Sequence, residues 1–273
     1  MYASSREISQ ELAGGLLGIR LSLQVPPCLR PIYGNLYKSL AVSHRLVRLR
    51  ARAKGGGHWT IDYGPHRKLG AVCGNAALYY AVDKALVLEL QRQCSELLFF
   101  HAAVLGSSRS VIAVLATSGG GKSTTSLAAI KAGLECFSDE LAPIELDTLR
   151  VWPYPRALSL KSKPTLRYAH GLPHVHRIDQ QWFVPLKPRL SPSHGSPIPL
   201  RALVILEQVS NDCSHATRLS GAQALAHVYS HCLNPLAHDN GGLSAVKRLL
   251  GALPCYRFSS ASPTDTVAFL ASL

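Results

Sequence analysis

One stretch constrains this chain more than any other: Val111-Ile-Ala-Val-Leu-Ala-Thr-Ser-Gly-Gly-Gly-Lys-Ser-Thr-Thr125. Its apolar, β-branched start predicts a buried strand, and three glycines followed by Lys-Ser-Thr predict a tight loop opening a helix over Thr124 to Ala132. Gly133 is a good stop for that helix. Strand, glycine loop, Lys-Ser and helix is the layout of a phosphate loop, G-x-x-x-x-G-K-S/T, with Ala116 where the first glycine belongs. Glycines let successive N–H groups turn inward without Cβ clashes, and the helix aims its positive end at the same point. Lys122 can neutralise phosphate charge, and the Ser123 hydroxyl is placed to ligate Mg²⁺. The expected nucleotide site is Ser118, Gly119, Gly120, Gly121, Lys122, Ser123 and Thr124.

Phosphoryl transfer also needs an acid near the metal and a base for the attacking hydroxyl. Asp139 and Glu140 follow the short strand Leu134 to Phe137, directly after the loop's helix. A right-handed crossover would put that strand in the same sheet, with its C-terminal end at the phosphate site. Ser123, Asp139 and Glu140 are therefore the expected metal shell. His101 lies among apolar residues just before the hairpin into the loop, where a core histidine is the ordinary outcome. His227 and His231 are one helical turn apart but have no evident third ligand, and His170, His174 and His176 form a similar loop cluster. No metal beyond Mg²⁺ is expected.

At 273 residues, with 47% hydrophobic and 16% charged side chains, the chain can bury a core and is not of disordered type. No apolar run reaches the roughly 18 residues of a membrane-spanning helix, and MYASSREISQ lacks the layout of a secretory signal, so no membrane role is expected. Seven cysteines, an odd number without a C-x-x-C pair, suit free thiols in a reducing cytoplasm. The formal charge is +13, which favours anionic partners. Residues 1–92 carry 13 basic and 5 acidic side chains, so 13 − 5 = +8 of that sits in the first third. There, Ile19 to Val25, His44 to Arg52 and His58 to Tyr63 read as strands, with Arg48, Arg50 and Arg52 on one face. Ala77 to Gln93 reads as a helix. Further strands are expected over Phe99 to Leu105, Leu141 to Leu146, Trp182 to Leu186, Ala202 to Leu206 and Tyr256 to Ser259. Helices are expected over Ala222 to Cys232, Leu243 to Leu250 and Thr264 to Leu273, with His170 to Pro199 otherwise loop. The fold class is α/β (α+β): a β-rich basic region over 1–95 and a P-loop domain over 96–273.

His101-Ala-Ala-Val104, Ala116-Thr-Ser-Gly-Gly-Gly-Lys-Ser-Thr124 and Ser138-Asp-Glu140 together resemble the HPr kinase/phosphorylase-like family. That family has a strand with a histidine, a G-x-S-G-x-G-K-S loop and an acidic pair after the next strand. Ser118, Gly119, Gly121, Lys122 and Ser123 match. Pro155-Arg-Ala-Leu-Ser-Leu-Lys161 is similar to the "PRxxSLK" segment of the bacterial HPr-kinase-related branch. The resemblance covers residues 97–161 well and extends weakly over 17–35 and the C-terminal strand and helices. It implies an HPr-kinase-type core and a cytoplasmic kinase that uses ATP and Mg²⁺ on a hydroxyl, seryl by preference, of a peptide, protein or small molecule. By the same resemblance Asp139 takes the acceptor's proton and His101 orients it. Lys122 and Ser123 hold phosphate and Mg²⁺, and Arg156 faces the phosphates or the acceptor. Glu140 stands where the family has a second aspartate, and the Gly-rich loop used toward HPr has no copy here. Both departures point away from HPr as acceptor and from the reverse reaction. A ribosomally made peptide such as a lasso precursor is an alternative acceptor that some relatives use. Some relatives assemble, which leaves a homo-oligomer open.

Three functions compete for this sequence: a kinase, a non-catalytic nucleotide sensor, and a nucleic-acid binder using the arginine face. No aromatic platform or helix-turn-helix accompanies those arginines, so a solvated edge is the stronger expectation and nucleic acid is not an expected partner.

Overall fold

Alternating apolar and basic residues near the N-terminus fold as strands. The computed structural model describes residues 11–34, 36, 45–63, 67–160, 175–185, 196–209 and 213–273. With elements numbered in chain order, β1 (Glu11–Leu16), β2 (Ile19–Gln24), β3 (Leu46–Gly55), β4 (His58–Tyr63) and β5 (Arg67–Cys73) form one five-stranded sheet in that order. Neighbours are antiparallel except β2 and β3, whose connection carries the short helix α1 (Arg30–Tyr33). In β3, Val47, Leu49 and Ala51 are buried while Arg48 and Arg52 are exposed, as the two-residue period requires. Arg52 pairs with Asp62 at 2.8 Å, and Arg50 donates to the Gln24 side-chain carbonyl. His44, expected to open this strand, lies outside the described residues.

Helix α2 (Asn75–Gln93) covers the sheet's apolar face with Leu78, Val82, Leu86 and Leu90. The same core contains Leu141, Tyr154, Ala157, Ile178 and Phe183. Side chains from both sides of position 95 therefore share one core.

The larger sheet contains β6 (Leu98–Phe100), β7 (Ala102–Gly106), β8 (Val111–Leu115), β9 (Glu135–Ser138), β10 (Ala142–Glu145) and β11 (Arg150–Val151). A small antiparallel sheet of β12 (Leu158–Leu160), β13 (His176–Ile178) and β14 (Gln181–Val184) lies apart from it. The long β15 (Ile198–Gln208) then returns to the large sheet, followed by β16 (His215–Leu219) and β17 (Cys255–Ser260). Its main path runs β6-β10-β11-β15-β8-β7-β9, with β17 and β16 branching from β15. Consecutive strands β6 and β7 therefore sit on different limbs of the sheet, and His101 is the single residue at the bend between them.

Helix α3 (Lys122–Lys131) joins β8 to β9. Strand β7 lies between these two and is antiparallel to both, so β8 and β9 point the same way. The crossover steps over one strand and brings Asp139 to the same sheet edge as the glycine loop. Both faces of the sheet are covered. Helices α4 (Gly221–Tyr229) and α5 (Leu243–Ala252) pack Ala224, Val228, Val246 and Leu249 against Leu98, Leu115, Val151 and Leu203. On the opposite face, α3 and α6 (Pro263–Ser272) pack Leu127, Ile130, Val267 and Leu270 against Leu105, Val114 and Val204. Burying each such side chain contributes about 1.5–3 kcal/mol, which anchors α3 and fixes the loop ahead of it.

The result is a mixed α/β fold with more strand than helix. Strands β1, β5, β11, β12, β13 and β16 go beyond the expected elements, whereas β14 overlaps the strand expected over Trp182 to Leu186. Among the described residues no helix is long and apolar enough to cross a membrane. Cys73, Cys94, Cys136, Cys213, Cys232 and Cys255 are free thiols.

Candidate active site

The site begins where buried β8 ends. Ser118 and Gly119 are exposed at the tip of the turn, and Gly120 N–H donates to the Thr117 carbonyl at 2.9 Å. Gly119 and Gly121 have φ of +85° and +87°, the left-handed region that costs other residues about 1–2 kcal/mol. A Cβ on Gly121 would also strike the side-chain amide of Gln208 at the end of β15. Gly121 is the N-cap of α3, with no side-chain cap and no acidic residue in the first turn. The helix thus presents N–H groups without a built-in anion, the arrangement that attracts phosphate.

Three α3 residues reach Asp139. The Lys122 ammonium donates to the Asp139 backbone carbonyl at 2.6 Å. The Ser123 hydroxyl donates to one carboxylate oxygen of Asp139 at 2.8 Å, and the Ser126 hydroxyl donates to the other at 2.6 Å. Asp139 is only 4% exposed. Burial raises the affinity of its carboxyl for a proton, outweighing the Lys122 charge and the serine hydrogen bonds that oppose the shift. Ser126 was not among the expected site residues, although it lies one turn beyond Ser123 on the same helix face.

Glu140 has the opposite environment. One oxygen lies 3.3 Å from His101 Nε2, and the other lies 3.4 Å from the Arg156 guanidinium and 3.9 Å from Lys122 Nζ. Burial alone would raise its pKa, but the His101 hydrogen bond and the charges of Lys122 and Arg156 prevail, and the carboxyl is held far below the ordinary range. His101 reaches Glu140 because the chain bends there: its N–H leaves the sheet to donate to the His231 carbonyl at 2.9 Å. Two adjacent carboxylates are thus driven apart, one toward proton acceptance and one toward permanent charge.

Arg156 is 3% exposed and lies behind Glu140. Its other contacts are Asp83, at 3.5 Å, and the Tyr79 hydroxyl, both on α2. It touches the site through Glu140 and does not open onto the loop. Asp83 and Tyr79 were not singled out from sequence.

Ser123 and Asp139 supply adjacent hard oxygen donors, which suits Mg²⁺, an ion that takes one or two carboxylates and completes its shell with phosphates and water. Glu140 does not join them, since both its oxygens face cations. Among the described residues no three His, Cys, Asp or Glu side chains gather as a metal centre. The His227 ring accepts from Arg257 at 3.1 Å, whereas His231 Nδ1 lies 2.8 Å from the His227 carbonyl, so these rings serve different partners. His176 is in β13, while His170, His174 and Lys161 lie outside the described residues.

Compared with known proteins, the chain matches no family model, and no curated protein matches it in sequence.

Proposed function

We propose that this chain is an ATP- and Mg²⁺-dependent phosphotransferase that moves the γ-phosphate to a hydroxyl of a peptide, protein or small molecule. The observation that carries this is the pair of hydrogen bonds tying the Asp139 carboxylate to Ser123 and Ser126 on the glycine-loop helix. A buried carboxylate held beside the glycine loop supports this reading, because it would serve as a base next to a bound phosphate chain. The resemblance to HPr kinase-like proteins adds support from the same residues.

The glycine loop and the α3 N-terminus bind the phosphates, and Lys122 turns from the Asp139 carbonyl to their charge. When bound, Mg²⁺ supplies neutralisation of phosphate charge beside Ser123 and Asp139. Asp139 then accepts the proton of the acceptor hydroxyl at its carboxylate, with a proton affinity lifted toward the working range. Glu140 stays ionised and holds His101, Lys122 and Arg156 in place around the transfer point.

Calorimetric titration with ATP–Mg²⁺ tests the nucleotide assignment. Lys122→Ala should remove most binding, because the loop itself then offers the phosphates N–H dipoles and no side-chain cation. Unchanged affinity would overturn it.

A further inference from the structure

The catalytic edge of the large sheet is joined to the N-terminal unit by a buried row of charged and phenolic groups. Tyr79 and Asp83 sit one turn apart on α2 and face the same guanidinium. Arg156 lies 5.7 Å from the centre of the Tyr79 ring, donates to that ring's hydroxyl and meets Asp83 at 3.5 Å. Its second terminal nitrogen meets Glu140 at 3.4 Å. The Tyr154 hydroxyl and Arg156 Nε are buried in the same place without a hydrogen-bond partner. Tyr33, from α1, is fully buried and couples electrostatically to Asp83.

A buried arginine this close to two carboxylates is fixed by the balance between them. Were Glu140 its sole anionic partner, the guanidinium would be drawn fully onto Glu140 and would compete with His101 and Lys122 for the same oxygens. Asp83 divides that attraction, and the Tyr79 ring and hydroxyl set the plane of the fork. We infer that Asp83 and Tyr79 are positioning residues for the phosphotransfer site: acting through Arg156, they set the place of Glu140 and hence of Lys122 and His101. Helix α2 then supports the transfer site, in addition to any use of the arginine face on the sheet it covers. This rests on the phosphotransfer function proposed above.

The test uses the full chain, with ATP–Mg²⁺ as probe and hydrolysis of ATP by water as the transfer reaction. Asp83→Asn keeps the shape and removes the charge. ATP affinity should stay within about threefold, while turnover falls about tenfold, the order expected when a reacting group is displaced by a fraction of an ångström. Tyr79→Phe removes one hydroxyl and should lower turnover about threefold, a milder probe if the charge change prevents folding. In an Arg156→Lys background, Asp83→Asn should cause less than about twofold further loss, because the residue through which it acts is already altered. Full, multiplicative loss in that background would overturn the inference and leave Asp83 a packing residue. So would wild-type turnover in both Asp83→Asn and Tyr79→Phe. If the wild-type chain binds no ATP, the phosphotransfer function itself fails and this inference falls with it, an outcome distinct from failure of the variants alone.

Discussion

Ser126→Ala isolates the most buried contact of the proposed base. The Ser126 hydroxyl, fully buried, donates to Asp139 at 2.6 Å, and Asp139 is 4% exposed, so no bulk water replaces it. A hydrogen bond to a charged group contributes about 1.5–3 kcal/mol, and one to the neutral acid about 0.5–1.5 kcal/mol. The cost of the substitution must therefore depend on pH. Burial already lifts the Asp139 pKa in the folded state, so wild-type stability falls as pH rises from the ordinary aspartate value through the raised one. Removing Ser126 lifts that pKa further and extends the falling window upward. The difference between variant and wild type should be about 1 kcal/mol below the raised pKa, where Asp139 is neutral, and about 2–3 kcal/mol above it, where Asp139 is charged. Urea denaturation on either side of that pKa reads it directly. The acid limb of ATP turnover should move to higher pH in the same variant. A pH-independent difference would reduce Ser126 to a packing role and refute the account of Asp139 as a charged, buried base.

Glu140→Gln removes a negative charge that raises the Asp139 pKa, so the acid limb of turnover should move to lower pH, opposite to Ser126→Ala; a pH–rate profile checks the direction. The folded-state pKa of Glu140 is depressed, so its stabilising contribution is complete above its ordinary value of 4.5 and is lost as pH falls below that. Acid titration of stability should be correspondingly flatter in the variant. Reversing Arg48 and Arg50 to glutamate should raise the KM for an acidic acceptor and leave that for ATP unchanged, with a smaller effect at high salt, where screening shortens below about 8 Å. Steady-state kinetics at two ionic strengths decides it, and an equal rise in both KM values would place this face at the nucleotide site.

Much of this arrangement is legible in the residues themselves. The apolar run Val111 to Leu115 and the glycines behind it could hardly fold otherwise, and the two-residue alternation around Arg48 to Arg52 marks its strand plainly. Strand β1 carries two central glycines and no alternation, and β16 is mostly exposed and held by its register with β17. Neither announces itself locally, because tertiary pairing creates it. His101 sits between Phe99-Phe100 and Ala102-Ala103, a setting that suggests a core position. Only the bend between two limbs of the sheet turns its ring to Glu140. Asp83 and Arg156 meet across the junction of two packed units, and no spacing in the chain encodes that. Arg156 is marked by its Pro-Arg-x-x-Ser-Leu-Lys context, but its burial behind Glu140 depends on which side chains close over it.

Transfer of labelled γ-phosphate by Asp139→Asn, beside ATP binding by the same variant, tests the central claim most directly. The amide keeps the shape but cannot take the acceptor's proton. Binding should stay within about tenfold of wild type while transfer falls by roughly 10²–10⁴. Transfer at the wild-type rate would remove Asp139 from the chemistry, and a wild-type chain that binds ATP without any turnover would make the protein a nucleotide sensor.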